Sequence, residues 1–337
     1  MKKLLLVGIA ATAMLASCSN DETVGTPEQN AAIGFSSFVD KSTRAVNTGN
    51  KLEDPFKVWG FRGDVNDFVN VEQVAVDGTY NPAQYWTLGY KYNFAAIAPQ
   101  SVGKDADVKC TDGTVSGTLN FTNENNVTDL LYASNDQMDA TTDIPTEKVN
   151  LTFDHMLSKV KFTFANGFDT DEYSFYVENV TIKDVESQAT LTIPAKEWSN
   201  FTEQKDVDFG NVASNGDDII KQNADDETEP KLIIPNVDKV IYMVTFDLYV
   251  YKNEVNLKAD GGAYKHTVEM PKMLFVMGNG YNFKATIGNT NYDPNLDSDK
   301  ETKIEFEPSV STWIESDNDG NEYGGELDGY EVPAEGE

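Results

Sequence analysis

The stretch Lys159-Val160-Lys161-Phe162-Thr163-Phe164 alternates polar and apolar side chains over six residues. Successive side chains of an extended chain point to opposite faces, so this period of two predicts a strand with one buried face. Similar short runs, rich in Val, Ile, Tyr, Phe and Thr and bounded by Gly, Asn or Asp, recur along the chain. They lie at residues 57–61, 92–97, 118–121, 177–182, 190–193, 240–251, 281–287 and 303–310.

The spacing of these runs predicts the fold class. Short strands separated by turns at this interval are typical of β-sandwiches. A chain of 337 residues with 39% hydrophobic content is long enough for two cores. We therefore predict an all-β fold of two tandem β-sandwich domains, at residues 45–148 and 149–314. The polar residues 136–150 form either the linker between them or a long loop between two strands.

Both ends of the chain differ from this strand-rich middle. Residues 1–17 have a cationic head, an apolar run and small residues before Cys18, as in a secretory signal peptide. The apolar run is shorter than the roughly 20 residues that a transmembrane helix needs. Residues 18–44 follow this leader, and their first part, residues 19–31, is polar without periodicity, which predicts a tether. The last segment, 315–337, holds nine carboxylates and no Lys or Arg, so we expect an acidic tail.

The end of the leader, Leu15-Ala16-Ser17-Cys18, resembles the lipobox of bacterial lipoproteins. The resemblance implies that Cys18 is acylated and becomes the N-terminus of an exported precursor. Two or more acyl chains anchor a protein stably, here to the outer membrane. Cys110 is the only other cysteine, so lipidation of Cys18 leaves no pair for an intramolecular disulfide.

Composition and motifs exclude several classes of function. The chain has 56 acidic and 26 basic residues, a formal charge of −30, whereas nucleic-acid binding needs clustered Lys and Arg. The two histidines, His155 and His266, have no zinc-motif spacing, and a packed side chain is the favoured interpretation of His155. The acidic run 293–299 departs from a calcium loop at its sixth and twelfth positions, which favours a solvated turn. We expect no enzyme, no metal and no cofactor.

Four local patterns, taken in their order along the chain, resemble the fimbrillins, the subunits of type V pili of anaerobic Gram-negative bacteria. The resemblance covers nearly the whole chain. The patterns are Ile33-Gly34-Phe35-Ser36-Ser37-Phe38-Val39 followed by Ser42-Thr43-Arg44-Ala45; Tyr90-Lys91-Tyr92-Asn93-Phe94-Ala95-Ala96-Ile97-Ala98-Pro99; Leu151-Thr152-Phe153-Asp154-His155-Met156-Leu157-Ser158-Lys159-Val160; and Gly280-Tyr281-Asn282-Phe283-Lys284-Ala285-Thr286-Ile287 with the late Trp313.

This resemblance implies an assembly mechanism. An Arg-specific protease cuts between Arg44 and Ala45, and the removed piece carries one strand of the N-terminal sandwich. Ile33, Phe35 and Val39 share a face of that strand, and each buried large side chain contributes roughly 1.5–3 kcal/mol. Its loss leaves a groove that another chain fills by donor-strand exchange. The cut subunit leaves the outer membrane and enters an extracellular pilus, with other pilin subunits as partners and a host or bacterial surface ligand for an adhesive subunit.

The incoming strand should come from a neighbour's C-terminal region. Ile304, Phe306 and Val310 share a face of the first candidate, which is equally well explained as the last core strand of its own domain. In that case residues 326–332 would be the donor, although Leu327 and Tyr330 fill a groove poorly. A shaft subunit needs a good C-terminal donor and a tip subunit does not, so a position at the tip of the pilus stays open.

Two alternative functions stay open at this stage. The chain could remain uncut and acylated as a pilus anchor. It could instead be a surface glycan-binding lipoprotein in which Trp59, Trp86 and Trp198 form a sugar platform, although aromatic residues of sandwiches are more often core residues.

Overall fold

A computed structural model describes residues 31–39, 52, 54–63, 65–213, 219–289, 291 and 304–313. Within these ranges the chain forms eighteen strands and one short helix, α1 (Gln100–Gly103), so the predicted all-β class is confirmed. None of the described helical residues belongs to a helix that is long and apolar enough to cross a bilayer.

The first sheet has six strands, and strand numbers follow chain order. The strand at one edge of this sheet, β1, lies upstream of Arg44. In spatial order the strands are β1 (Phe35–Val39), β8 (Val149–His155), β7 (Leu131–Ala140), β4 (Tyr90–Ala98), β2 (Phe56–Arg62) and β3 (Val65–Val74).

Two further sheets complete the fold. The second contains β5 (Asp107–Thr111), β6 (Thr114–Thr122), β10 (Tyr173–Ile193), β11 (Glu197–Val212), β14 (Met243–Lys252), β15 (Val255–Asn256) and β16 (Tyr264–Glu269). The third contains β9 (Ser158–Asn166), β12 (Asp225–Glu227), β13 (Lys231–Ile233), β17 (Asn279–Ile287) and β18 (Glu307–Thr312).

The long strand β10 joins the two halves of the molecule. Its first part pairs with β14, and its last part, from Gln188 to Ile193, pairs with β6. β6 precedes β8 in the chain, so the second sheet contains strands from both halves. β8 lies in the first sheet, where it pairs with β7, and it begins at residue 149, directly after the domain boundary that the sequence predicts. Residues 141–148 connect β7 to β8 within that sheet, so they are a loop rather than a linker.

Three buried clusters form the core. The first lies on one face of the first sheet, and the second lies between the opposite face and the strands β5, β6 and the end of β10. The third fills the space between the second and third sheets. The alternating residues 159–164 are part of β9, and Val160, Phe162 and Phe164 are fully buried in the third cluster.

Each half contains a buried tyrosine that closes a turn in the same way. The Tyr92 hydroxyl accepts a hydrogen bond from the N–H of Thr87 at 2.8 Å and donates to the carbonyl of the same residue at 3.1 Å. The Tyr281 hydroxyl accepts from the N–H of Val276 at 2.8 Å and donates to the carbonyl of Leu274 at 3.2 Å. The two halves therefore share the same hydrogen-bonded tyrosine turn.

The aromatic neighbours of these tyrosines match as well. Trp86 meets Tyr92 edge-on with ring centroids 4.8 Å apart, and Phe275 meets Tyr281 edge-on at 4.9 Å. Both tyrosines begin a Tyr-Asn-Phe sequence, at residues 92–94 and 281–283. Each of the two aromatic partners stands six residues before its tyrosine, so the sequence repeats the spacing along with the geometry.

Candidate functional site

The candidate site is the place of β1 in the first sheet. β1 runs parallel to β8, with Phe35 opposite Val149 and Val39 opposite Phe153. The carbonyl of Gly34 accepts a hydrogen bond from the N–H of Val149 at 2.8 Å. One edge of β1 is thus paired along its whole length.

The chain just before β1 is also held on its opposite edge. Ala32 forms an antiparallel bridge with Tyr85. The N–H of Ile33 donates to the carbonyl of Gln84 at 2.8 Å, and the Tyr80 hydroxyl donates to the carbonyl of Ile33 at 2.8 Å. β1 therefore sits in a slot, which we call the β1 groove, between β8 and residues 76–86.

Alternate residues of this segment face the core. Ile33, Phe35, Ser37 and Val39 are 1%, 0%, 7% and 6% exposed. The ring of Phe35 lies 5.7 Å from that of Phe94, although β8 and β7 separate their strands in the sheet. Three strand spacings of a flat sheet would span about 14 Å. The first sheet therefore curls around this core, and Phe35 lies deep within it.

A turn at residues 75–79 covers the groove. Gly78 has φ +82°, and a Cβ built on it would lie 2.0 Å from the carbonyl oxygen of Phe35. The Ser37 hydroxyl donates to the carbonyl of Val76 at 3.4 Å. The Asp77 carboxylate accepts hydrogen bonds from the Thr79 N–H at 2.9 Å and the Thr79 hydroxyl at 2.6 Å, and these lower the pKa of Asp77.

The sequence pattern does not predict this covering wall. Gly78, Tyr80 and residues 84–86 belong to it, and burial raises the pKa of the Tyr80 hydroxyl, which donates to the carbonyl of Ile33. The Asp77-Gly78 dipeptide is a turn signal that was available in the sequence. Nothing in the local pattern indicates that the turn lies over β1.

The C-terminal candidate strand lies in the core of its own chain. Ile304, Phe306 and Val310 are 4%, 5% and 8% exposed and belong to the third cluster. The ring of Phe306 lies 5.4 Å from Phe162 and 5.9 Å from Phe164. Among the described strands β18 pairs with β17 alone, so it is an edge strand.

His155 is packed at the junction of the two halves. Its Nδ1 lies 2.7 Å from a carboxylate oxygen of Asp129, and its ring stacks on Trp313 with centroids 3.9 Å apart. The ammonium group of Lys159 lies 5.4 Å from the centroid of the same tryptophan ring. The indole covers the imidazole that a substrate would have to reach. The geometry favours the packed interpretation of His155 over a catalytic one.

The three tryptophans proposed as a sugar platform do not form one. Trp59 and Trp86 are 3% and 2% exposed, and they lie in different buried clusters. The indole N–H of Trp198 donates to the carbonyl of Met156 at 2.8 Å. The platform interpretation is therefore wrong, because these rings pack against protein.

Several predicted residues lie outside the described part of the chain. They are Cys18, Arg44, Ala45, the acidic run 293–299 and the alternative donor 326–332.

Comparisons with known proteins identify the class. The fimbrillin-like family model matches residues 43–313, and the chain belongs to this family. A fimbrial protein from Bacteroides vulgatus has a similar structure, with 16% identity, coverage of 84% of this chain and 99% of that one, and a TM-score of 0.53. A candidate cell adhesion protein from Parabacteroides distasonis has 9% identity, coverage of 84% and 96%, and a TM-score of 0.50. At these identities the two structures support the fold alone.

No curated protein matches the sequence. Membership of the fimbrillin-like family supports a role as a pilus subunit or adhesin, located at the cell surface or in a pilus.

Proposed function

We propose that this chain is a structural subunit of a type V pilus. It is exported as a lipoprotein through Cys18, cut between Arg44 and Ala45, and assembled by strand exchange with other subunits. The observation that carries the proposal is the position of β1, which lies upstream of Arg44 and yet forms part of the subunit's own core. A cut after Arg44 turns an integral strand into a separate peptide.

Loss of that peptide would leave the β1 groove unsatisfied. Ile33, Phe35 and Val39 each contribute roughly 1.5–3 kcal/mol through their buried side chains. The backbone groups of β8 that pair with β1 would lose their partners, and an unpaired strand edge readily accepts a strand from another chain. The vacancy therefore drives association.

The donor strand comes from the C-terminal region of a neighbouring subunit. Ile304, Phe306 and Val310 form the first candidate, but they fill the core of their own chain, which is the case in which residues 326–332 would be the donor. The acidic segment 326–332 is the alternative, with fewer large apolar residues.

Charge affects the rate at which such subunits meet. Residues 1–44 contain four basic and four acidic residues, so the remaining chain keeps the formal charge of −30. Like-charged subunits repel over about 10 Å at 0.1 M salt. We expect assembly of the cut protein to be faster at higher ionic strength.

The same observation favours a second function, that of a pilus anchor. A chain that is never cut keeps its groove filled by β1 and its lipid in the membrane. Such a subunit would donate a strand without accepting one. Acylated Cys18 on the chain recovered from pili would identify it.

Cleavage of the purified precursor tests the proposal. We expect a limited dose of an Arg-specific protease to produce a new N-terminus at Ala45 and a ladder of multimers that resists SDS. Arg44→Gln should abolish both, whereas Lys41→Gln, a matched loss of charge three residues away, should leave both intact. A protein that starts at Ala45 and remains monomeric would contradict the assembly mechanism.

A further inference from the structure

The second sheet has a polar depression on the face that points away from the core. The depression has a volume of about 410 Å³ and crosses three neighbouring strands, β10, β14 and β16. Sites of small molecules usually have volumes of about 300–1,000 Å³, so this one is large enough for a small ligand.

The strand register arranges the lining side chains in two rows. The first row consists of three threonines that lie opposite one another: Thr181, Thr245 and Thr267. The second row, two residues away along the strands, contains Asp247 opposite Lys265. Because side chains alternate between the faces of a sheet, Phe246 and His266 turn to the opposite face, where their rings stack 5.1 Å apart. The outer face is therefore left to groups that form hydrogen bonds.

Asp247 is held in place by two donors. Its carboxylate accepts a hydrogen bond from the Asn179 amide at 2.9 Å and from the Lys265 ammonium group at 3.0 Å. Burial acts to raise the pKa of Asp247, but these hydrogen bonds outweigh burial and lower the pKa. The side chain is still 17% exposed. A carboxylate has about four lone-pair sites, so this oriented and charged group can accept a further hydrogen bond from a ligand.

Stacked tyrosines adjoin the second row. Tyr249 follows Asp247 on the same face of β14, and its ring stacks on that of Tyr176 with centroids 4.5 Å apart. Tyr251 stacks on the Tyr176 ring at 5.9 Å. Tyr176 is only 5% exposed although it lies on the outer face, because the other two rings cover it. Tyr249 and Tyr251 are half-buried, so apolar ring surface continues the polar rows.

The charges of the site are balanced. Lys265 is paired with Asp247, and the ammonium group of Lys183, which also lines the depression, lies 2.6 Å from a carboxylate oxygen of Asp206. The chain as a whole has a formal charge of −30, which repels acidic ligands. The depression therefore suits a neutral ligand that forms many hydrogen bonds.

We propose that this depression binds a neutral sugar unit of a surface glycan. The hydroxyl groups of a pyranose ring both donate and accept, so they match Asp247, Lys265 and the row of threonines. The C–H groups on the face of the same ring pack on an aromatic ring such as Tyr249. The inference goes beyond the proposed function, because it assigns a ligand that strand exchange does not require. Its aromatic residues are surface tyrosines of the second sheet, whereas the tryptophans that pack against protein take no part.

Binding to a glycan array tests the proposal. The probes are neutral oligosaccharides of galactose, mannose, fucose and N-acetylglucosamine, each printed beside its sialylated or sulfated form. The uncut full chain is used, with Cys18→Ser to prevent acylation. We expect binding to at least one neutral glycan, and at least about tenfold weaker binding to its acidic form. Binding to no neutral glycan, or a preference for the acidic forms, would overturn the proposal.

The charge of Asp247 is tested with a matched pair of variants. Asp247→Asn keeps the shape of the side chain and removes a charged acceptor, so affinity for the bound glycan should fall at least about tenfold. Asp225→Asn removes a similar ion pair from the third sheet, where Asp225 lies 2.9 Å from Lys284, and it should leave the affinity unchanged. Equal affinities of Asp247→Asn and the wild-type protein would show that the sugar binds elsewhere, and the inference would be wrong.

A blocking variant gives a readout that does not depend on a buried side chain. Thr267 is exposed at the rim, so Thr267→Arg fills the depression without changing the core and should abolish binding. Thr202→Arg adds the same side chain at an exposed position of β11 outside the depression, and this control should bind like the wild-type protein. Thermal unfolding checks that both variants are folded. Undiminished binding by folded Thr267→Arg would contradict the site.

Assembly is measured separately on the same proteins. Asp247→Asn and Thr267→Arg should still be cut after Arg44 and should form multimers like the wild-type protein. A chain that binds the glycan but never assembles would refute the proposed function and leave this inference standing. A chain that assembles but binds no neutral glycan would refute this inference alone.

Discussion

Two strands of similar pattern close the two halves of this molecule, and their surroundings differ. The N-terminal strand lies in a slot, with β8 on one side and residues 76–86 on the other. The segment 304–310 leads into an edge strand that has β17 as its partner. Removal of the first would open a vacancy between two walls, whereas departure of the second would empty part of the third cluster, in which Ile304, Phe306 and Val310 are buried. The proposed function uses the first of these surroundings, the groove with two walls, as the acceptor of a strand.

The largest effects should come from the phenylalanines at the centre of each strand. Phe35→Ala and Phe306→Ala should each lower the free energy of unfolding of the precursor by about 4 kcal/mol, because both rings are buried. Chemical denaturation measures the loss, and hydrogen exchange should locate it in the first sheet for Phe35→Ala and in the third for Phe306→Ala. Phe38→Ala, an outward-facing control on β1, should lose about 1 kcal/mol. Equal losses at Phe35 and Phe38 would contradict the described burial.

The wall of the β1 groove should be the next most sensitive feature. Gly78→Ala should destabilise the precursor by about 3 kcal/mol, because the new Cβ collides with the backbone of Phe35. Gly89→Ala is the matched control: Gly89 also has a positive φ, +93°, but open space around its Cβ position. Only the cost of the left-handed backbone, about 1 kcal/mol, is expected there. Thermal or chemical unfolding measures both losses. Equal losses of unfolding free energy for the two variants would contradict the close contact between Gly78 and the backbone of Phe35.

Removal of the tyrosine hydroxyl should destabilise the two repeated tyrosine turns by similar amounts. Tyr92→Phe and Tyr281→Phe each remove a hydroxyl that bonds a backbone N–H in the interior, and each should cost about 2 kcal/mol. Unfolding measurements on both variants test the equivalence of the two halves. A large loss of unfolding free energy for one variant and none for the other would show that the same hydrogen-bond geometry stabilises the two halves by different amounts.

The smallest expected effect is specific to the C-terminal half. Burial lowers the pKa of His266 below its ordinary value of 6.5, while Asp247 nearby opposes the shift. The unfolded chain then binds the proton more readily than the folded one. The stability that neutral His266 contributes is present above pH 6.5 and decreases as the pH falls through the folded pKa.

His266→Phe should therefore flatten the pH dependence of stability between pH 8 and pH 5. Denaturation curves of the wild-type and variant proteins at several pH values give the comparison. Parallel pH profiles for the two proteins would show that His266 does not titrate differently on folding.

Local patterns predicted much of the strand content and the inward face of the N-terminal strand. The alternation in residues 33–39 and 159–164 depends on the chain's own side chains, so it is readable without neighbours. The wall formed by Gly78 and Tyr80 was not predictable in this way, because those residues lie in an irregular connection between β3 and β4. The membership of β8 in the first sheet was hidden for a related reason: strand pairing depends on contacts between residues more than a hundred positions apart.

By itself, the sequence determined the all-β class, the net charge and the resemblance of its leader to a lipidation signal. These are properties of composition and of period, and each residue contributes to them independently of distant ones. The tertiary structure alone decided that β1 has two walls, that the turn at Gly78 covers it and that Ile304, Phe306 and Val310 lie in the core of their own chain. Those facts follow from which segments meet in space, and backbone pairing over long sequence separations sets them.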